Sequence, residues 1–160
     1  MFVRFPLVYR WLSEKLMQLP PSRLRRSLVA RRIGRAYAAA NRRDFELILT
    51  GLDPETEYRP GADLIAPDQD RVFHGHEGYL QMWRNWLGAF EDLRFDPEEL
   101  LDLGDLFLVT ARQRAHGSRS GLAVSQPVFQ LFKVERGLVV WQRDFSDRAD
   151  ALEAAHSANS

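Results

Sequence analysis

The feature of this chain that most constrains its fold is the order in which its hydrophobic patterns occur. Apolar residues recur at helical spacing in residues 7–19, 22–44 and 76–93, and a short helix is expected at 44–51. Strand-like stretches separated by turn signals lie near residues 55–59, 71–75, 94–103, 106–114, 122–134 and 138–145. Helices followed by consecutive strands joined by hairpins favour an α+β fold with a curved antiparallel sheet.

The size and cysteine content of the chain limit its organisation. A chain of 160 residues, 45% of them apolar, suits one domain with a single core. We expect that domain at residues 29–155, an extension at residues 1–28 and a frayed tail at residues 156–160. The absence of cysteine excludes disulfides, thiolate metal sites and a cysteine nucleophile, and it favours a cytoplasmic location.

The net charge of zero conceals a strong asymmetry between the two ends of the chain. Eleven basic residues and one acid lie in residues 1–43, whereas the remaining eleven basic residues face 21 acids. The first helix is amphipathic, with Trp11 beside its apolar positions, and the second places Leu24, Leu28, Ile33, Tyr37 and Ala40 along one side. Three interpretations stay open for residues 1–35: packing over the body with solvated or paired arginines, contact with a membrane surface, or contact with a partner macromolecule.

Three segments carry a family resemblance. AYAAANRRDFELILTGLDPETEYRP, FHGHEGYLQMWRNW and VFQLFKVERGLVVWQRDFSDRADALEAA occur in this order across residues 30–155. Their order and spacing resemble the SnoaL-like polyketide cyclase group of the nuclear transport factor 2-like superfamily. The resemblance implies a cone, in which a curved sheet wraps helices around an apolar pocket. Relatives use such a pocket for ring closure, isomerisation, epoxide hydrolysis or binding alone, so the fold does not settle the function.

Two chemistries of the superfamily do not fit these residues. The steroid isomerase pattern would place Arg59 at the proton shuttle, Ala36 at the helix tyrosine and Gln130 at the strand acid, with Tyr37 one step off and facing elsewhere. Arginine cannot act as a general base. The epoxide hydrolase pattern aligns its last acid with Asp144, but residues 106–134 contain no acid for the required relay.

A SnoaL-like ring closure needs only one acid/base, and Asp144 is the candidate catalytic residue that the resemblance implies. Strand alternation places Gln126, Gln130 and Gln142 on the same wall as Asp144. The predicted ligand-binding residues are these three glutamines with three aromatic residues, Tyr58, Trp83 and Trp86. The expected ligand is a small, largely apolar molecule with a few oxygens, of the polyketide or steroid kind.

The opposite face of the sheet has its own pattern. Val139, Trp141 and Phe145, with Phe129 and Leu131, would form an apolar outer face, which favours a homodimer.

Alternatives without chemistry stay open. Asp144 could instead pair with Arg143, Arg148 or an N-terminal arginine, or mark the end of a strand. The leading hypothesis is a cyclase-, isomerase- or hydratase-type enzyme, and the alternative is a non-catalytic ligand-binding or accessory protein that assembles through its basic N-terminal helix.

Other ligand classes find little support in the sequence. His74 and His76 lack a second ligand cluster, so we expect no metal. We also expect no cofactor, and the acidic body argues against nucleic acid.

Overall fold

The computed structural model describes residues 6–61 and 71–159. The helices are α1 (Pro6–Gln18), α2 (Arg23–Asn41), α3 (Phe45–Thr50), α4 (Gly75–Ala89) and α5 (Arg148–Ala158). The strands are β1 (Leu52–Arg59), β2 (Phe73–His74), β3 (Phe90–Asp102), β4 (Leu106–Gly117), β5 (Ala123–Glu135) and β6 (Leu138–Phe145). The predicted boundary at residue 28 falls inside α2, and α5 continues past residue 156, so the division into domain, extension and tail stays a prediction.

The strands form one curved sheet in the order β2-β1-β6-β5-β4-β3. Strands β3 to β6 run antiparallel as consecutive hairpins, whereas β1 runs parallel to β6. This arrangement confirms the predicted α+β fold. Two registers matter below, since Gln130 pairs with Asp144 and Gln113 pairs with Gln126.

The inner face of the sheet packs against α2 and α4. Aromatic side chains dominate this core, in which the rings of Trp83 and Trp86 lie 6.1 and 5.6 Å from that of Phe95. Because both helices lie against the concave side, residues that point inward from β5 and β6 face helix side chains rather than solvent. The concave side therefore contains the candidate site.

The outer face of the sheet is covered by α5. Asp147 follows the end of β6 and caps this helix by accepting hydrogen bonds from the backbone amides of Ala149 and Asp150. Ala151 and Ala155 of α5 pack in one cluster with Leu131 and other apolar residues of the outer face, including Phe129, Trp141 and Phe145. The chain thus covers much of its own apolar outer face, and dimerisation through that face stays a prediction.

The basic N-terminal segment packs against the body through specific contacts. The buried Arg25 guanidinium pairs with Asp102 at 2.8 Å and donates to the carbonyl oxygens of Met17, Leu19 and Gly104. The predicted apolar stripe on α2 is therefore wrong at its start, where Leu24 is exposed and Arg25 is buried. The reason is that five oxygens, from residues 17–19 at the end of α1 and residues 102–104 at the β3–β4 turn, accept hydrogen bonds from the guanidinium.

Candidate functional site

The candidate site is a hydrogen-bonded cluster around the carboxylate of Asp144. Its Oδ2 accepts from the Tyr58 hydroxyl at 2.5 Å, and its Oδ1 accepts from Gln142 Nε2 at 2.9 Å. Gln130 Nε2 lies 3.2 Å from both carboxylate oxygens. The cluster forms because Tyr58 and Gln142 are direct neighbours across β1 and β6, while Gln130 and Asp144 are neighbours across β5 and β6. The structure thus brings together four of the predicted site residues.

Burial dominates the electrostatics of this cluster. Only 4% of Asp144 is exposed. Desolvation raises the pKa of Asp144 from its ordinary value of 3.8 to about 6, against the opposing effect of the hydrogen bonds from Tyr58, Gln142 and Gln130. Burial and the nearby Asp144 raise the pKa of Tyr58 well above its usual range, so its phenol stays protonated and remains a donor.

Tyr37 is a member of the cluster that the sequence alignment missed. It was expected to face elsewhere, but it is buried on α2 and its hydroxyl donates to Gln130 Oε1. Its pKa is raised well above the usual range, first by burial and then by the charge of Asp144. The helical stripe Ile33, Tyr37 and Ala40 already indicated an inward position, and all three residues belong to the inner core.

The alternatives in which Asp144 is an exposed or arginine-paired acid are contradicted by the structure. The guanidinium of Arg143 lies over the ring of Trp141 at 4.7 Å, and Arg148 pairs with Glu99 at 3.2 Å. Among the described residues, no ion pair involves Asp144. The physical reason is that Asp144 points to the inner face, whereas Arg143 alternates to the other face.

The remaining predicted site residues lie apart from the carboxylate. Gln126 donates to Gln113 Oε1 at 2.7 Å, four positions along β5 from Gln130. That separation corresponds to roughly 13 Å along an antiparallel strand. Trp83 and Trp86 are buried in the inner aromatic core. Trp86 Nε1 and Gln113 Nε2 have no hydrogen-bond partner within the described ranges.

A groove of about 360 Å³ lies between α3 and α4. Its lining is mostly apolar and consists of Phe45, Glu46, Leu49, Leu80, Trp83, Arg84 and Leu87. Trp83 connects the groove to the inner core, because its indole also contacts Phe95. Asp144 does not line this groove, so the pocket predicted around the carboxylate stays a prediction.

The histidines, acids and helices of the structure bear on metal binding and on membrane spanning. His76 Nε2 lies 3.0 Å from the carbonyl oxygen of Leu52, and His74 is exposed at the start of α4. In the part of the chain that the structure describes, no three His, Asp or Glu side chains are grouped as metal ligands. None of the described helices is long and apolar enough to cross a membrane.

Comparison with known proteins identifies the family. Residues 33–142 match the SnoaL-like domain family, so this chain belongs to that family. Solved structures with the nuclear transport factor 2-like fold superpose on most of the chain. One is a protein of unknown function from Burkholderia pseudomallei K96243, which is 21% identical and matches with a TM-score of 0.63 over 76% of this chain and 92% of its own.

Two further structures have names that mention a function or a ligand. A proposed polyketide cyclase from Streptomyces antibioticus, IdmH, is 20% identical over 78% of this chain and 95% of its own, with a TM-score of 0.60. A protein from Catenulispora acidiphila DSM 44928 with a ketosteroid isomerase-like fold, in complex with trimethylamine, is 16% identical over 76% and 89%, with a TM-score of 0.61. No curated protein matches the sequence. At these identities the structural matches establish the fold.

Proposed function

We propose that this protein binds a small, largely apolar polyketide- or steroid-like molecule and uses Asp144 as a lone acid/base in a cyclase-, isomerase- or hydratase-type reaction. The observation that carries the proposal is the buried carboxyl group, whose pKa of about 6 lies close to neutral pH. A general base is most effective when its pKa lies near the working pH. Membership of the SnoaL-like family and the fold shared with a proposed polyketide cyclase support the same class of chemistry.

The hydrogen bonds leave the carboxylate room for one more partner. A carboxylate offers about four lone-pair sites. Tyr58, Gln130 and Gln142 supply three donors. In an aldol-type closure, Asp144 takes the proton from a carbon next to a carbonyl group as that carbon attacks a second carbonyl. The new C–C bond leaves an alkoxide, which takes the proton back from Asp144 and regenerates the carboxylate.

Tyr37 has a positioning role in this proposal. Its hydroxyl donates to the amide oxygen of Gln130, and this fixes the amide so that the Nε2 group faces Asp144. A reversed amide would place the Gln130 oxygen against a carboxylate, and two acceptors would repel each other. Tyr37 therefore acts on the acid through Gln130.

The proposal is tested by turnover with a molecule that the protein itself retains. Ligand that co-purifies with the protein is identified by native mass spectrometry, and its conversion is compared between the wild type and Asp144→Asn. Loss of a general base costs roughly 10²–10⁴-fold in rate. Tyr58→Phe removes a donor to the charged form, so the rise of the pH–rate profile moves to higher pH. Equal turnover by Asp144→Asn would refute Asp144 as the acid/base.

Asp105→Asn is the matched control, because Asp105 is an exposed acid in the turn between β3 and β4. It should leave turnover unchanged.

The alternative is a non-catalytic ligand-binding or accessory protein. The three donors already bound to Asp144 favour this alternative, since a hydrogen-bonded network of this kind can hold a ligand in one orientation without any catalysis. In that case the ligand is recovered unchanged and Asp144→Asn weakens its retention. The proposed contacts are Tyr58, Trp83, Trp86, Gln126, Gln130 and Gln142.

The proposal also covers self-association of the protein and its location in the cell. Self-association through the part of the outer sheet face beside α5 remains our proposal, supported by the half-buried Trp141, and molar mass in solution tests it. A cytoplasmic location is proposed from the absence of cysteine.

A further inference from the structure

The outward surface of α1 exposes a group of large apolar side chains. Leu7, Val8, Trp11 and Leu12 form this N-terminal apolar patch, and each is more than half exposed, with Leu7 at 78% and Trp11 at 56%. The opposite side of the helix supplies its contacts with the body, where Ser13 is buried and Leu16 and Met17 join an apolar cluster. The patch is therefore not needed to hold α1 in place.

Tight contacts fix the direction in which the patch faces. Gly137, in the turn between β5 and β6, lies so close to α1 that a Cβ there would be 2.7 Å from the backbone nitrogen of Glu14. Arg32 donates to the Gly137 carbonyl oxygen at 2.6 Å and lies 5.6 Å from the centre of the Tyr9 ring. Together with Arg25, these contacts hold α1 on the body with its apolar patch turned outward.

The basic residues of α1 beside the N-terminal apolar patch indicate the kind of surface that the patch fits. Arg10 and Lys15 of α1 are exposed, and Glu14 is the single acid in residues 1–43. Long basic side chains can lay their stems along an apolar surface while their charges reach phosphate groups. A helix with Trp and Leu on its outer surface and basic residues beside them is typical of binding in the plane of a membrane interface.

We propose that α1 docks the protein on an anionic lipid surface, with the N-terminal apolar patch inserted among the headgroups and Arg10 and Lys15 on lipid phosphates. The patch lies on a convex helix rather than in a groove, which suits a fluid surface better than a shaped protein partner. The part of the chain at residues 44–160 carries eleven basic residues and 21 acids. Its acidic balance disfavours approach of other faces to the same lipids, so charge also orients the protein.

The test uses the full chain with vesicles of phosphatidylcholine alone or mixed with phosphatidylglycerol. Co-sedimentation should show binding only to the mixed vesicles, and it should weaken as salt rises. Arg10→Gln combined with Lys15→Gln should weaken binding by roughly 25-fold, at about 1 kcal/mol per charge. Trp11→Ser combined with Leu7→Ser should weaken it roughly tenfold or more.

Two controls separate lipid binding from general surface effects. Leu122 is 70% exposed ahead of β5, so Leu122→Ser removes an exposed leucine away from α1, and Arg119→Gln removes an exposed charge in the same hairpin. Both should bind vesicles as the wild type does, and circular dichroism should show all variants folded. Equal binding to both kinds of vesicle, no binding, or patch variants that change only the molar mass in solution would overturn the proposal, the last by indicating contact with a second copy.

Discussion

Replacing Asp144 by asparagine should stabilise the fold at neutral pH. Burial raises the pKa of Asp144 from 3.8 to about 6. The native state therefore binds a proton more tightly than the unfolded chain, and the associated stability is present below pH 3.8 and is lost as pH rises through 6. At 1.36 kcal/mol per pH unit, the ionised carboxylate costs the native state about 3 kcal/mol at pH 8. Asparagine carries no charge and avoids this cost.

The surrounding hydrogen bonds can accommodate the amide. Asn Oδ1 can accept from Gln142 and Gln130, which now donate to the carboxylate. Asn Nδ2 then faces the Tyr58 oxygen, and a phenol can accept as well as donate. In this arrangement the buried Tyr58 O–H loses the acceptor it has in Asp144, which offsets part of the gain in the free energy of unfolding. About 3 kcal/mol is therefore the upper limit of the gain.

Urea unfolding of both proteins at several pH values between 4 and 8 measures the effect. The free energy of unfolding of Asp144→Asn should exceed that of the wild type by up to about 3 kcal/mol at pH 8, and the difference should shrink toward pH 4. Asp105→Asn, at an exposed turn, should change the free energy by less than about 0.5 kcal/mol. A difference for Asp144→Asn that does not vary with pH would refute a buried carboxyl group of raised pKa.

Two further substitutions test how the N-terminal helices are held, each by thermal and urea unfolding. Gly137→Ala should lower the free energy of unfolding by about 2–4 kcal/mol, because φ is +79° and the new Cβ meets the α1 backbone. Its control is Gly121→Ala, which should lower it by about 1 kcal/mol, because φ is +66° but no atom lies within 4 Å of the new Cβ. Arg25→Met should lower the free energy of unfolding by about 3–5 kcal/mol, because it leaves the carboxylate of Asp102 without its charged partner. Arg112→Met, which breaks the partly exposed ion pair with Glu98, should lower it by less than about 1 kcal/mol. Similar losses within either pair would contradict the reasoning.

The order of elements could be predicted from sequence, because hydrophobic periodicity depends on local geometry. The four long strands were placed correctly in order, and β6 matches the prediction at both ends. The start of β3 was missed by four residues, since Phe90 continues the apolar stripe of α4 and no turn residue separates helix from strand. Which strands pair is not a local property, and the parallel contact between β1 and β6 emerged only from the structure.

The candidate site was predicted in part for a similar reason. Alternation along β5 and β6 placed Gln130, Gln142 and Asp144 on one face, and the structure brings them together. The contribution of Tyr37 was missed because a sequence alignment does not fix the rotation of a helix to within one residue, whereas the periodicity of its apolar neighbours does. The buried Arg25 could not be foreseen either, since its oxygen partners come from two separate parts of the chain, residues 17–19 and 102–104.

The direction of the hydrogen bonds around Asp144 has a consequence for where a proton can go. Tyr37 donates to Gln130, and Gln130, Gln142 and Tyr58 all donate to the carboxylate. Each of these bonds points toward Asp144, so a newly protonated acid finds only donors around it. Its O–H must then turn to a bound molecule, or to the Tyr58 oxygen, which would have to redirect its own proton outward. The direction of these hydrogen bonds thus favours transfer of any proton that Asp144 receives to a bound molecule.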